Sequence, residues 1–378
     1  MHIARRLAET IAKSKKSILL LGPRQTGKST LMRSLSPDIE IDLADQQVYL
    51  DHLKSPSLLR QQIGGSRRVF IDEVQRIPSL LNTVQSLVDH DKDLKFYLTG
   101  SSARKLKRGK ANLLPGRLLT YHLGPLAISE LGYKADLDRL LMLGSLPGVY
   151  MEDDLLTAKK VLRSYAATYL REEIQAEALT RNLEGFSRFF DLLAARSGDF
   201  VDFNKSASLS QIDRMSARRY FDILIDTMIA YPVEAFSKSP KRRLIQHPKF
   251  YFFDVGVLNG CLGNFEVSLD RKGSLFEHLC LQMIRAEFQA RDEDFRVSVY
   301  RTEAGAEVDF IVESGGNVSA IEVKAARTIG LSDLRGLKSF SDFHGKKTRS
   351  FIFYLGEREL EMGSVLIAPL ARGLDLLF

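Results

Sequence analysis

Eight residues near the N-terminus have the types and spacing to hold a triphosphate. Gly22-Pro23-Arg24-Gln25-Thr26-Gly27-Lys28-Ser29 fits the phosphate-loop pattern G-x-x-x-x-G-K-S. The two glycines let the backbone curl until its N–H groups point inward at phosphate oxygens, and a helix N-terminus adds its positive dipole end. Lys28 can reach the β- and γ-phosphates, and the Ser29 hydroxyl can ligate Mg2+. Thr30 completes the run of nucleotide-contacting residues.

Arg67-Arg-Val-Phe-Ile-Asp72-Glu73 is an apolar strand ending in two carboxylates. At the C-terminal end of a parallel strand, Asp72 can hold the metal through water, and Glu73 can activate or orient the attacking water. The same two acids could merely cap the next helix. Phe96-Tyr-Leu-Thr99-Gly-Ser101-Ser102 is a further strand closing in hydroxyls. Thr99 first and Ser101 second are placed to position water beside the γ-phosphate. Arg117 is a candidate arginine finger, in cis or in trans within a homo-oligomer, because a guanidinium stabilises charge on a transferring phosphoryl group. An ordinary surface arginine is the alternative. Arg104, Lys105, Lys107, Arg108 and Lys110 lie on the same rim and face either a phosphate backbone or solvent.

The run LLGPRQTGKST, then VFIDEVQRIP, LTGSS and LPGRL, resembles the prokaryotic AAA+ ATPases that carry a C-terminal domain of unknown function. The resemblance extends over nearly the whole chain. It implies a central sheet of AAA+ type, a small helical lid, and ATP as the nucleotide.

A second set of acids lies in the last third. Glu307 to Glu313 and Val318 to Lys324 are β-rich runs on either side of Ser314-Gly-Gly-Asn317, a hairpin with a four-residue turn. Pairing Glu313 with Val318 puts Asp309 opposite Glu322 and Glu307 opposite Lys324. Val308, Phe310, Val312, Ile321 and Val323 then share the apolar face. Opposed carboxylates repel, and a divalent cation between them removes that cost. The arrangement also resembles the PD-(D/E)XK nuclease signature, Asp309 followed by Glu322-x-Lys324, although no proline precedes Asp309. That resemblance implies Mg2+ held by Asp309, Glu322 and the Val323 carbonyl, with Glu277 as the upstream acid and Lys324 stabilising phosphoryl charge. The alternative is a solvated face where Lys324 pairs with Glu307 or Glu322. The module then either cuts nucleic acid or only binds it or a protein.

The elements that must position these groups alternate. Apolar runs at Ser17–Leu21, Ile39–Leu43, Val69–Ile71, Phe96–Thr99 and Leu119–Leu123, with helical stretches such as Ile77–Val88 between them, point to a parallel α/β sheet. Helices dominate from Ile128, with a long one over Leu155–Ala178. Leu192–Ala195, Leu209–Ile212 and Ala217–Ile229 fit a winged helix-turn-helix with Ser216 capping its third helix. There Arg218 and Arg219 would read DNA, although Asp222 and Asp226 on the same helix repel phosphates. Lys238, Lys241, Arg242 and Arg243 are the better phosphate contacts. The expected organisation is a P-loop AAA+ core over residues 1–132, a helical lid over 133–183, a winged-helix segment over 184–246 and an α/β nuclease-like domain over 247–378. A formal charge of +7 favours a polyanionic partner, DNA ahead of RNA. Two cysteines without a CxxC pair fit a reducing, cytoplasmic setting. With no long apolar run, a membrane partner is not expected.

Overall fold

The computed structural model describes residues 3–101, 116–132, 135–170, 182–236 and 248–378. Five parallel strands form the first sheet: β1 (Ser17–Leu21), β2 (Ile39–Asp42), β3 (Arg68–Asp72), β4 (Lys95–Gly100) and β5 (Leu118–His122). Their order is β2-β3-β4-β1-β5. A parallel sheet covered on both faces needs apolar residues at successive positions, and Ile18, Leu19 and Leu20 are all fully buried, as are Val69, Phe70 and Ile71. The helices around it are α1 (Leu7–Lys13), α2 (Lys28–Ser34), α3 (Gln46–Lys54), α4 (Leu58–Ile63) and α5 (Leu80–His90). Leu7, Ile11, Leu31 and Met32 of α1 and α2 pack on Ile18, Leu20 and Phe70. Leu80, Leu81 and Val84 of α5 pack on Leu19, Ile71 and Leu98 across the sheet. Because β1 is flanked by β4 and β5, the strand order reverses beside it. The crevice at its C-terminal edge is where an open α/β sheet takes a ligand.

Short helices follow: α6 (Ile128–Leu131), α7 (Leu137–Leu143), α8 (Pro147–Tyr150) and α9 (Leu155–Ser164). The helix expected over 155–178 is α9 continued by a π-helical turn, Tyr165–Leu170; residues 171–181 lie outside the described residues. Next come α10 (Leu183–Ala195), α11 (Phe203–Leu209) and α12 (Arg214–Asp226). Asp213 caps α12, taking the Ser216 N–H at 2.9 Å and the Ser216 hydroxyl at 2.6 Å, so Ser216 is the donor rather than the cap. Strand β6 (Ala230–Ala235) pairs antiparallel with β7 (Lys249–Phe252), as a wing would. On its other side, however, β6 pairs parallel with β8 (Arg296–Arg301). The strand at the place expected for a wing is therefore part of the C-terminal sheet. Arg218 and Arg219 are exposed on α12, each lying over a ring, Phe203 or Tyr220. Lys238, Lys241, Arg242 and Arg243 lie outside the described residues.

The second sheet is mixed, in the order β12-β13-β11-β10-β9-β8-β6-β7. It contains β9 (Glu307–Ser314), β10 (Asn317–Lys324), β11 (Arg349–Tyr354), β12 (Leu360–Met362) and β13 (Val365–Pro369). Helices α13 (Val255–Leu262), α14 (Leu269–Arg291), α15 (Arg335–His344) and α16 (Leu370–Asp375) complete the chain. Leu275, Phe276 and Leu279 of α14 cover Phe310, Ile321 and Phe351 on one face. Leu337 and Phe340 of α15 cover Ile311, Ala320 and Ile352 on the other.

In the β9–β10 hairpin Val318 faces Glu313 as expected, but Asn317 also pairs with Ser314. The turn is thus two residues, not four: Gly315 and Gly316, with φ of 55° and 80°. A two-residue hairpin turn of this kind needs positive φ at both positions. A bulge also intervenes: Ser298 faces Ile311 and Tyr300 faces Val308, so Asp309 and Phe310 together oppose Val299. The extra residue turns Val308 to the α15 side, with Ile311, away from the Phe310 face on which the alternation placed it.

Helix α15 approaches this hairpin at Gly336, where an added Cβ would lie 1.9 Å from the Glu307 carbonyl oxygen. Gly336→Ala is expected to lose ~1–3 kcal/mol of stability by forcing helix and strand apart; the urea unfolding midpoint measures it. Among the described residues no helix is long and apolar enough to cross a membrane.

Candidate nucleotide site and C-terminal acid cluster

The phosphate loop leaves β1 at Leu21, where the Gly22 N–H bonds the Gly100 carbonyl at 3.2 Å. Any side chain at Gly22 would collide with the Leu123 carbonyl, 2.1 Å from an added Cβ. Gln25 and Gly27, with φ of 62° and 88°, turn the loop into α2. The buried Thr26 hydroxyl ties the curl to the Pro23 carbonyl at 2.9 Å. Lys28 is folded back, its ammonium donating to the Gly22 and Pro23 carbonyls at 2.9 and 2.8 Å. Arg24 and Ser29 are half-buried and Thr30 exposed. Two later elements touch the loop: the Tyr165 hydroxyl donates to the Arg24 carbonyl at 3.4 Å, and Pro147 lies 3.7 Å from a Cβ built on Gly27.

Asp72 and Glu73 end β3 at the same C-terminal edge of the sheet, with β4 between them and β1. Asp72 is 6% exposed. The Thr99 hydroxyl and the Glu73 N–H both donate to its Oδ1, and Oδ2 has no hydrogen-bond partner among the described residues. Asp72 therefore fits a hydrated cation as an available ligand. Thr99, expected to position water, instead braces the acid pair: its hydroxyl donates to Asp72 and accepts the Glu73 N–H at 3.1 Å.

Glu73 adopts left-handed backbone angles, φ 55° and ψ 44°. A non-glycine residue held there is strained and calls for support from its surroundings. That support reaches its side chain too. Glu73 Oε2 accepts from the Ser101 hydroxyl at 3.1 Å and from Gln75 Nε2, which also donates to Ser101 Oγ at 3.0 Å. Gln75 is 3% exposed, and its Oε1 is buried with no hydrogen-bond partner among the described residues. Sequence reasoning passed over Gln75, although it sits two residues after the acid. Gln75→Ala is expected to lower kcat for ATP about tenfold, with KM little changed, because it frees the acid without touching the phosphates. Steady-state phosphate release tests this.

Arg117 lies elsewhere. It precedes β5, whose first residue pairs with Ser17 at the start of β1, and its Nε bonds Asp89 at the end of α5. That ion pair holds the Asp89 carboxyl below its ordinary range. A five-residue strand, roughly 16 Å, separates Arg117 from the phosphate loop of its own chain. The arginine-finger role in cis is therefore excluded by geometry. Ser102 and the basic residues 104–110 lie outside the described residues.

In the C-terminal sheet the structure brings Glu277, Asp309, Glu322 and Lys324 together, and adds three residues that the sequence reading left out of the metal set or missed: Lys249, Tyr251 and Glu307. Lys249, 6% exposed, donates to Glu277 Oε1 at 3.1 Å and pairs with Glu307 Oε1 at 2.9 Å. Tyr251 donates to the same Glu277 oxygen. Lys324 donates to Glu322 Oε1 at 2.7 Å, the simple pairing held open above. Asp309 Oδ2 takes the Val323 N–H at 2.8 Å. Burial, then the charges of Glu277 and Glu322, push the Asp309 carboxyl well above its ordinary value. Burial raises Glu322 as well, against the pull of Lys324. Burial would lower Lys249, but Glu277, Asp309 and Glu307 outweigh it and hold the ammonium charged. Among the described residues no three His, Cys, Asp or Glu side chains are grouped so as to hold a metal ion. Glu322 Oε2 is buried without a partner among the described residues, while one oxygen of each of Glu277, Glu307, Asp309 and Glu322 faces an ammonium, hydroxyl or amide donor. This donor set does not fit the Mg2+ that the nuclease resemblance implies.

Family models match the chain in three consecutive blocks. Residues 14–132 match the AAA domain family. Residues 134–268 and 272–372 match two domains of unknown function, DUF8612 and DUF4143. The first block contains the phosphate loop, Asp72 and Glu73, and so supports nucleotide binding by the parallel sheet. Uncharacterized proteins of Mycobacterium bovis and Mycobacterium tuberculosis are each 27% identical over 360 residues, covering 93% of this chain and 79% of theirs. Among solved structures, a signal-transduction ATPase with a tetratricopeptide-repeat sensor from Pyrococcus horikoshii is 12% identical with a TM-score of 0.28. That match covers 76% of this chain and 47% of the other. The replication initiator DnaA bound to AMPPCP and single-stranded DNA is 13% identical with a TM-score of 0.27, covering 58% and 85%. Likenesses so faint bear on neither fold nor function.

Proposed function

We propose that this chain binds and hydrolyses ATP in its AAA-type unit, and that nucleotide state controls a C-terminal module that binds nucleic acid. One observation carries the first half: the Gly22–Ser29 loop and the braced Asp72–Glu73 pair share one edge of the parallel sheet. Ser29 and Asp72 would hold Mg2+, which when bound offsets phosphate charge. Lys28 exchanges its two loop carbonyls for β- and γ-phosphate oxygens. Glu73, fixed by Gln75 and Ser101, takes a proton from the attacking water. Arg117 can serve as a finger only across a homo-oligomer.

The seven excess positive charges support a polyanionic partner, DNA ahead of RNA. Between a cutting and a binding module, the lysine-filled acid cluster favours binding. Equilibrium titration with labelled ATP tests the main reading: wild type should bind in the presence of Mg2+, and Lys28→Ala should weaken binding at least tenfold. Unchanged affinity in that variant would reject the site.

A further inference from the structure

We propose that Lys249 is the resident cation of the C-terminal acid cluster, its ammonium bridging Glu277 and Glu307 beside Asp309 in place of a divalent metal, so that this module engages a polyanion without cutting it. The inference deepens the binding reading of that module and is independent of the ATP site.

The argument is one of which donors hold which oxygens. A divalent ion of the magnesium or calcium type draws six or more oxygens to roughly 2.0–2.6 Å. Lys249 Nζ bridges Glu277 Oε1 at 3.1 Å and Glu307 Oε1 at 2.9 Å, Lys324 Nζ holds Glu322 Oε1 at 2.7 Å, and the Val323 N–H holds Asp309 Oδ2 at 2.8 Å. Among the described residues Glu322 Oε2, Asp309 Oδ1 and Glu277 Oε2 carry no hydrogen bond, yet no three acid side chains there are grouped so as to hold a metal ion. Lys249 is not a surface side chain free to swing away. Its backbone pairs with Val233 on β6 and with Phe200, its side chain is 8% exposed, and the Phe200 ring lies 5.5 Å from its Nζ. Buried lysine persists only when paired, so the acids and this ammonium fix one another. Substituting Lys249 should vacate the centre of the cluster and leave several carboxylates facing one another, the condition that recruits a divalent ion.

The test uses full-length, nucleotide-free protein and Mn2+ as the probe, with free Mn2+ followed by electron paramagnetic resonance and stability by thermal melting. Wild type should show no saturable site tighter than about 1 mM, and Asp309→Asn should bind Mn2+ no differently. Lys249→Ala should gain one equivalent of Mn2+ at least tenfold more tightly and melt higher when Mn2+ is added. Lys249→Ala/Asp309→Asn should lose that gain. A folded Lys249→Ala protein with no new Mn2+ site overturns the proposal. So does a wild-type Mn2+ site that Asp309→Asn abolishes. Should Lys249→Ala not fold, the comparison of wild type with Asp309→Asn decides alone: equal binding supports the proposal and loss of a site overturns it. ATP titration of the same preparations reports separately on the phosphate loop.

Discussion

Replacing Glu73 by glutamine is expected to lower ATP turnover by roughly 10²–10⁴-fold while ATP stays bound. General-base transfer contributes a factor of that order, and Glu73 is the carboxylate held at the sheet edge by Ser101 and Gln75. Glutamine keeps the length and an acceptor oxygen for those two donors, so the strained left-handed backbone at this position retains its support. What it loses is the capacity to accept a proton from water. Binding should survive because Lys28 and the loop amides, which face the phosphates, are untouched. Lys28→Ala should show the converse, with affinity and turnover lost together. Phosphate release over time, with filter retention of labelled ATP, separates the two variants. Turnover near the wild-type rate in Glu73→Gln would assign the base to another group.

Local pattern made the first sheet legible. Its strands are short apolar runs closed by chemistry-bearing residues, and burial on both faces leaves such runs little alternative. The hairpin register was legible for a related reason: Gly315-Gly316 marks the turn, and alternation chooses which residues face which. Features set by distant pairing were not legible. That β6 joins β8 depends on residues more than sixty positions apart, and nothing within Ala230–Ala235 announces it. The bulge at Asp309 is equally silent, since it exists only relative to Val299 on the neighbouring strand. Lys249 did leave a signal: a single lysine opening the aromatic strand Lys249-Phe-Tyr-Phe. A charge in such company is seldom buried without a partner, and the acids of β9 and α14 are the available ones.

Arg5→Ala should cost about 3–5 kcal/mol of stability and weaken ATP binding as well. Arg5 is 7% exposed, and its guanidinium meets both Glu130 oxygens at 3.0 and 3.1 Å. It also donates to the carbonyls of Thr26 in the phosphate loop, and of Gly124 and Pro125 after β5. Removal leaves a buried carboxylate without its cation, the circumstance in which a buried pair matters most. Glu130 would keep only the Arg6 and Ala127 N–H groups. The effect should not stop there, because α6 is shared. Its Ser129 donates backbone N–H and hydroxyl to Glu287 at 2.7 and 2.9 Å, and Glu287 lies on α14, the helix that also carries Glu277. A continuous set of buried and partly buried polar contacts therefore runs from Thr26 to the helix beneath the acid cluster. If it acts as one network, Arg5→Ala combined with Glu287→Gln will be non-additive in denaturant unfolding by at least ~0.5 kcal/mol. Strict additivity would mean that Arg5 and Glu287 are not coupled through α6.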